Sequence, residues 1–269
     1  MRLRLAAAGL ALLAVAGCSG SGAPRKSSVA PPSSASPLAT ATARPGTPVA
    51  PAVLAAQLQT AVATVRSARL RLDLTLAGEA VSGTGAETLT RGRLDTLTAT
   101  EKLPSLGVIT VVVVGDTTYA RLPAALLKTD KPWVRVSATS TNAAVRQLAS
   151  TIAIAKSSAS LSSVSGFAAA AISLNRVGPT RVGGVAATDY SMVIAPDKLP
   201  RDFPGRADLV ATGLTAVPVQ LALDAKSRPV RVAITASVSG QSVDTTLALS
   251  HFDEPVTITA PPAASVSSI

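Results

Sequence analysis

The 269 residues carry 25 Lys and Arg against 15 Asp and Glu, a formal charge of +10, with one Cys, one His and only 2% aromatic residues. Five of the basic residues (Arg2, Arg4, Arg25, Lys26, Arg44) precede Ala52 and no acid does, so the remainder carries a net +5. With few rings to stack on bases and no dense Arg/Lys cluster, no nucleic-acid partner is expected; the lone His251 excludes a multi-histidine metal site and the lone Cys18 excludes an intrachain disulfide.

Arg2 and Arg4 open the chain, an apolar run from Leu5 to Val15 follows, and small residues lead into Cys18, the order of an export signal. At about eleven residues the run falls short of the roughly twenty that span a bilayer, so it is expected to be cut off. The segment Leu13 to Cys18 reads LAVAGC, and Val15-Ala16-Gly17-Cys18 resembles a bacterial lipobox. That resemblance implies a diacylglyceryl thioether on Cys18, cleavage before it, and often acylation of the new amine. A thiol suits this chemistry because it is the strongest side-chain nucleophile near neutral pH. The alternative is an ordinary signal peptide with a chance cysteine. Two or three acyl chains anchor stably without a helix, since each buried CH₂ contributes about 0.8 kcal/mol. The expected location is the extracytoplasmic face of the cell membrane, lipid-anchored.

From Ser19 to Pro51 the chain holds seven of its nineteen prolines, three basic residues, and neither acids nor aromatics. Such a stretch does not fold, and as a tether it reaches roughly 100 Å if polyproline-like or about 30 Å root-mean-square if flexible. The expected organisation is therefore residues 1–17 as signal peptide, 18–51 as lipidated cysteine and disordered tether, 52–260 as one folded domain, and 261–269 as a disordered tail.

Within the domain, Leu54, Leu58, Ala61, Val62 and Val65 recur at helical spacing over Ala52 to Arg66, after Pro51. Leu70, Leu72, Leu74 and Leu76 alternate with Arg71, Asp73 and Thr75, the pattern of a strand with one dry face. Gly78, Gly83, Gly85 and Gly92 read as punctuation between short strands, with Ser82-Gly83-Thr84-Gly85 as a turn, since no P-loop lysine follows it. Val108 to Val114 turns at Gly115-Asp116 into Thr117 to Leu122, a hairpin. Asn142 to Lys156 and Leu161 to Ala171 carry helical stripes. Strands follow near Ile172 to Val177 and Val185 to Ile194. Three clear strands close the domain as an antiparallel meander: Val217 to Asp224, Val230 to Val238, and Val243 to Leu249.

A one-faced sheet of about ten or eleven strands must curl and cover its apolar side, and helices are the only elements available for that. The expected class is α+β: a curved antiparallel sheet, a half-open barrel, with helices packed on its concave face. At this point the chain resembles the actinobacterial LppX/LprA/LprF/LprG lipoproteins. The matching segments are Ser67-Ala68-Arg69 into the first strand, Val114-Gly115-Asp116 through Tyr119, and Lys131-Pro132-Trp133-Val134. Two more are Val182-Gly183-Gly184-Val185 to Asp189-Tyr190, and Leu223-Asp224 through Arg228-Pro229-Val230. The resemblance implies a LolA/LolB-like fold that holds an acylated lipid or glycolipid between sheet and helices, for lipid carriage or envelope assembly.

Physically, a sixteen-carbon chain costs roughly 12 kcal/mol in water at about 0.8 per CH₂, so carriage across an aqueous envelope needs an apolar enclosure. Alternation nominates Leu72, Leu74, Val219, Leu221, Val232, Ile234 and Leu247 as its lining, with Leu148 and Ile152 from the helical region; each is equally readable as ordinary core. Trp133 and Tyr119 suit either plain packing or the rim of a lipid mouth. Catalysis has little to draw on: His251 sits at a strand end beside Asp253 with no nucleophile elbow. Asp73, Asp224 and Asp244 alternate with apolar neighbours and read, like the other acids, as solvated charges. No cofactor or metal is expected. The competing function is a non-carrier interaction or sensor lipoprotein whose core is filled.

Overall fold

A computed structural model of the chain describes residues 42–76, 79–103, 107–123, 130–142, 145, 146, 149, 161–201, 203, 206–238 and 241–267. Pro51, whose fixed φ suits a first helical turn, opens α1 (Pro51–Ala63), which buries Leu54, Ala55, Leu58, Ala61 and Val62 on one side. Two further helices are α2 (Leu161–Ala169) and α3 (Arg206–Ala211). The strands are β1 (Thr47–Pro48), β2 (Ser67–Leu76), β3 (Glu79–Thr90), β4 (Arg93–Leu103), β5 (Gly107–Val114), β6 (Thr117–Arg121) and β7 (Trp133–Val136). They continue with β8 (Ala171–Val182), β9 (Val185–Ile194), β10 (Val217–Asp224), β11 (Pro229–Val238), β12 (Gln241–Ser250) and β13 (Val266–Ser267).

All thirteen strands form one curved, unclosed sheet in the order β1-β8-β9-β10-β11-β12-β2-β3-β4-β5-β6-β7-β13. Two meanders, β2 to β7 and β8 to β12, join where β12 lies antiparallel to β2. Every pairing is antiparallel except that of β13 with β7, which is parallel and makes the sheet mixed. The expected half-open architecture is present, with more strands than alternation revealed. The two-residue strands β1 and β13 are too short to carry a period and take their register from the neighbours they join.

Glycine misled the reading of β3 and β4. Among the described glycines of that set only Gly92 turns the chain: Arg91 and Gly92 both have positive φ, 53° and 75°, the geometry of a tight hairpin turn. Gly83 and Gly85 stand in mid-strand on β3 instead, paired with Glu101 and Ala99 of β4. Space explains them. A Cβ on Gly85 would lie 2.4 Å from the Thr98 carbonyl oxygen, and one on Gly83 would lie 2.9 Å from Cγ of Glu101.

Both ends of the described chain are held more firmly than composition implied. Ala43 is buried, the Arg44 amide donates to Ser191 Oγ at 2.8 Å, and the Arg44 guanidinium reaches Asp189 at 3.1 Å. Asn175 donates to the Arg44 carbonyl. The tether region therefore binds the sheet from residue 42 or so, short of its expected limit at residue 51. At the other end, Val266 and Ser267 pair with Trp133 and Val134. Ser267 donates to Asp130 at 2.7 Å, which holds the Asp130 carboxyl below the usual carboxylate range, and Lys131 donates to the Val266 carbonyl. The expected structureless tail thus supplies a 3₁₀ turn at Ala263–Ser265 and the strand β13.

The main core lies between the helices and the second meander: Leu54 and Leu58 of α1 and Val164 and Phe167 of α2 pack with Met192, Val219 and Leu221. Phe203 completes it, its ring 5.1 Å from that of Phe167 and tilted by 53°. The expected second helix over Asn142 to Lys156 lies largely outside the described residues.

Candidate functional site

Strand register decides which side chains share the helix-bearing face. One row crosses eight strands in the order Tyr190, Leu221, Val232, Leu247, Leu72, Gly83, Glu101, Ile109. The adjacent row runs Met192, Val219, Ile234, Thr245, Leu74, Val81. The seven strand positions nominated as lining (Leu72, Leu74, Val219, Leu221, Val232, Ile234, Leu247) therefore stand on two neighbouring rows of one face, and all are buried. Cys18, Leu148 and Ile152 lie outside the described residues.

Those seven meet two different surroundings. Val219, Leu221, Val232 and Ile234 belong to the core that α1 and α2 fill with their own leucines and phenylalanine. Leu247 packs with Val62, Val65 and Leu161 where α1 ends. Leu74 belongs instead to a cluster of Val81, Leu97, Ile109, Val111, Val113, Ala120 and Val243, every member of which comes from a strand. Among the described residues, then, helices roof the β8–β11 side and contribute nothing to the apolar cluster of the β2–β7 side.

One strip of the β2–β7 side carries small residues. On that face β3 presents Val81, Gly83, Gly85 and Glu87 in sequence, and β4 opposes them with Glu101 to Gly83, Ala99 to Gly85 and Leu97 to Glu87. A low strip of two glycines and one alanine is thus bounded by a carboxylate at each end. Leu70 lies beside Gly85 on β2, and Leu70, Gly85 and Ala99 are only half-buried.

Glu87 is 0% exposed, and neither carboxylate oxygen has a hydrogen-bond partner. Burial alone pushes its carboxyl up to about 8 from the ordinary 4.5, because removal from water penalises the charged form. At neutral pH it is therefore mostly a neutral acid, able to donate one hydrogen bond and accept others. Glu101 is buried as well, at 5% exposure. The sequence reading placed the acids on wet faces, and for these two that is corrected. Their parity could have shown it: Glu87 falls in step with Val81 and Leu89, and Glu101 with Leu97, but Gly83 and Gly85 broke the apolar alternation that makes parity visible.

Other acids divide by face. Asp189 is buried on the opposite face, where it accepts from Arg44 and from Arg231, each at 3.1 Å. Asp224 is a turn clamp rather than a solvated charge: it accepts from the amides of Lys226 and Arg228 at 2.9 Å each and from the Arg228 side chain at 2.8 Å. Asp73 and Asp244 do sit at the surface, bonded to Arg71 and Thr235. Tyr119 is paired with Val112, and Trp133 precedes the inward Val134. Both rings therefore occupy the face away from the helices, which corrects the rim reading. His251 is exposed and meets Glu254 at 2.8 Å. Among the described residues no group of three or more His, Cys, Asp or Glu is gathered as metal ligands, and no helix is long and apolar enough to cross a membrane.

No protein-family model matches the chain, and no curated protein matches it either. Solved structures do. The Mycobacterium tuberculosis lipoprotein LppX superposes with a TM-score of 0.51 at 16% identity, covering 78% of this chain and 98% of its own. LprF from Mycobacterium bovis superposes with a TM-score of 0.50 at 18% identity, covering 80% of this chain and 99% of its own. At these identities the likeness is one of fold. The expected curved sheet is thus one the chain shares with LppX and LprF.

Proposed function

We propose that this chain is a lipid-binding lipoprotein of the cell envelope, anchored through acylated Cys18 on the extracytoplasmic face and taking the acyl portion of a lipid or glycolipid against the β2–β7 side of its sheet. The observation that carries the reading is the make-up of one continuous apolar face among the described residues. Helices fill the β8–β11 side with their own side chains, whereas the cluster around Leu74, Val111 and Val113 is built from strands alone. The members of that strand cluster are buried, and an acyl chain packed beside them leaves water at a gain of about 0.8 kcal/mol per CH₂. The fold shared with LppX and LprF supports the same reading. Leu72 and Leu74 serve as lining here, while Val219, Leu221, Val232 and Ile234 serve as the packed wall that holds the helices.

Protein purified from its native host without detergent is expected to carry a co-purifying acyl lipid in mass spectrometry. Empty protein, together with no uptake of any acyl probe, refutes the proposal. The anchor is tested separately: Cys18→Ser is expected to abolish palmitate labelling and to release the protein from membranes. The competing reading, an interaction module with a filled core, draws on the packing of Val219, Leu221, Val232 and Ile234 under α1 and α2. It predicts no probe uptake on the β2–β7 side.

A further inference from the structure

We infer that the outer face of β2–β7, the face away from the helices, is a docking surface for the anionic headgroups of a lipid bilayer, carried by Arg69, Arg71, Lys102, Arg121 and Arg135. This surface goes beyond the lipid-binding reading and stands or falls separately from it.

The sequence holds no run of cations here; strand register gathers them. Three adjacent rows cross the face. The first runs Arg69, Ala86, Thr98, Val112, Tyr119, Arg135 from β2 to β7. The second runs Arg71, Thr84, Thr100, Thr110, Arg121, and the third Asp73, Ser82, Lys102, Val108. All five cations are exposed. The single acid of the rows, Asp73, is taken up by Arg71 at 3.0 Å. Among the described residues no acid pairs with Arg69, Lys102, Arg121 or Arg135. Five cations against one acid leave these rows at +4, most of the +5 that the chain carries from Ala52 onward.

The layout of the charges selects the partner. At about 4.8 Å between strands the patch is roughly 24 Å wide, and no row or strand of it holds more than two of the five cations. A linear polyanion presents its charges at fixed spacing along one line, which this scatter does not match. Headgroups diffuse sideways in a bilayer and gather beneath each cation wherever it stands. Each Lys or Arg held against an anionic leaflet strengthens partition by about fivefold. Threonines lie between the cations, and Tyr119 and Trp133 are half-buried on the same face, amphipathic rings of the kind that favour the headgroup level. The proposed acyl anchor on Cys18 keeps a bilayer within reach, so that weak contacts suffice.

The test sediments the full chain carrying Cys18→Ser, in which no acyl group contributes, with vesicles of phosphatidylcholine alone or of phosphatidylcholine and phosphatidylglycerol in equal parts. A face variant adds Arg69→Gln, Lys102→Gln, Arg121→Gln and Arg135→Gln. A control variant instead neutralises four exposed cations elsewhere, as Arg91→Gln, Lys198→Gln, Arg201→Gln and Lys226→Gln. The parent chain is expected to prefer the anionic vesicles on the order of 100-fold, less as salt is added. The face variant is expected to lose most of that preference, and the control to stay within about threefold of the parent. Trp133 is the single tryptophan, so a nitroxide-headgroup lipid is expected to quench the fluorescence of the bound parent chain. Equal losses in the face and control variants, no preference for anionic vesicles, or unquenched Trp133 in bound protein each overturn the docking surface. A tighter hold on soluble alginate than on anionic vesicles overturns it too and assigns the face to a polymer. All eight substitutions replace exposed side chains, and thermal melts verify that the variants fold. Lipid uptake is not read by this assay, so its outcome leaves the proposed lipid-binding function where it stood.

Discussion

Glu87 gives the protein a pH dependence whose sign runs against that of ordinary acid denaturation. Its carboxyl titrates near 4.5 in the unfolded chain and near 8 in the fold, so between those values the folded state holds the extra proton. Stability is complete below the lower value and declines as pH rises to the upper one. The loss is on the order of 5 kcal/mol at its limit. Denaturant midpoints measured from pH 4 to 9 are expected to fall across this window in wild type and to flatten in Glu87→Gln. A parallel slope in both proteins would show that another group is responsible. Gly85 makes a second prediction at this scale: Gly85→Ala forces a Cβ to 2.4 Å from the Thr98 carbonyl. Backbone cannot yield as a side chain can, so a loss of about 1–3 kcal/mol is expected in the same assay. Neither residue was readable as special from sequence. Gly85 looked like a turn because glycine in a turn and glycine under a close-packed neighbour are written with the same letter, and Glu87 lost its parity to the glycines beside it.

Elements were legible in proportion to their side-chain contrast. The strands β10, β11 and β12 carry aliphatic residues at every second position, and the register Val219 to Ile234, Val232 to Leu247 and Leu247 to Leu72 follows from that alternation. The clamp at Asp224 and the fastening of residues 42–48 were not legible, because each depends on a partner remote in sequence. Asp189 holds the latter. Its carboxylate is 7% exposed and bridges Arg44 to Arg231, whose Nε is already without a partner. Arg44 is half exposed and contributes little through solvent, so most of the effect of Asp189→Ala falls on the orphaned Arg231, at about 2–3 kcal/mol. The same substitution is expected to free the N-terminal segment, seen as new proteolytic cleavage between Thr42 and Pro48 by mass spectrometry. An unchanged digest would place the fastening elsewhere, with Gly46 against the Arg176 carbonyl as the next contact to test.

Across the whole molecule, each open margin of the sheet is finished by one end of the chain, β1 beside β8 and β13 beside β7. Very short edge strands are a common defence against strand-to-strand association. Removal of residues 263–269 strips β13 from β7 and takes away the Ser267 bond to Asp130. The truncated protein is expected to dimerise or aggregate with rising concentration in size-exclusion chromatography with light scattering, whereas the full chain stays monomeric under the same conditions. Alternation pointed to one curved sheet, and that much was readable because the same period repeats over many strands. Which side of the sheet the helices would cover was not, since α1 and α2 meet each other before they meet the strands and nothing in their own stripes names the leucines opposite.

The fastening at Arg44 also fixes where the domain is suspended. Counted along the sheet, β3 stands six ladder steps from β8, and at about 4.8 Å per step the glycine strip lies roughly 30 Å from the margin that carries the leash. A body hung from one border can pivot like a shutter. Under the proposed anchoring through Cys18, its far portion would sweep an arc that tips the proposed lipid-binding side toward the bilayer or out into the surrounding fluid.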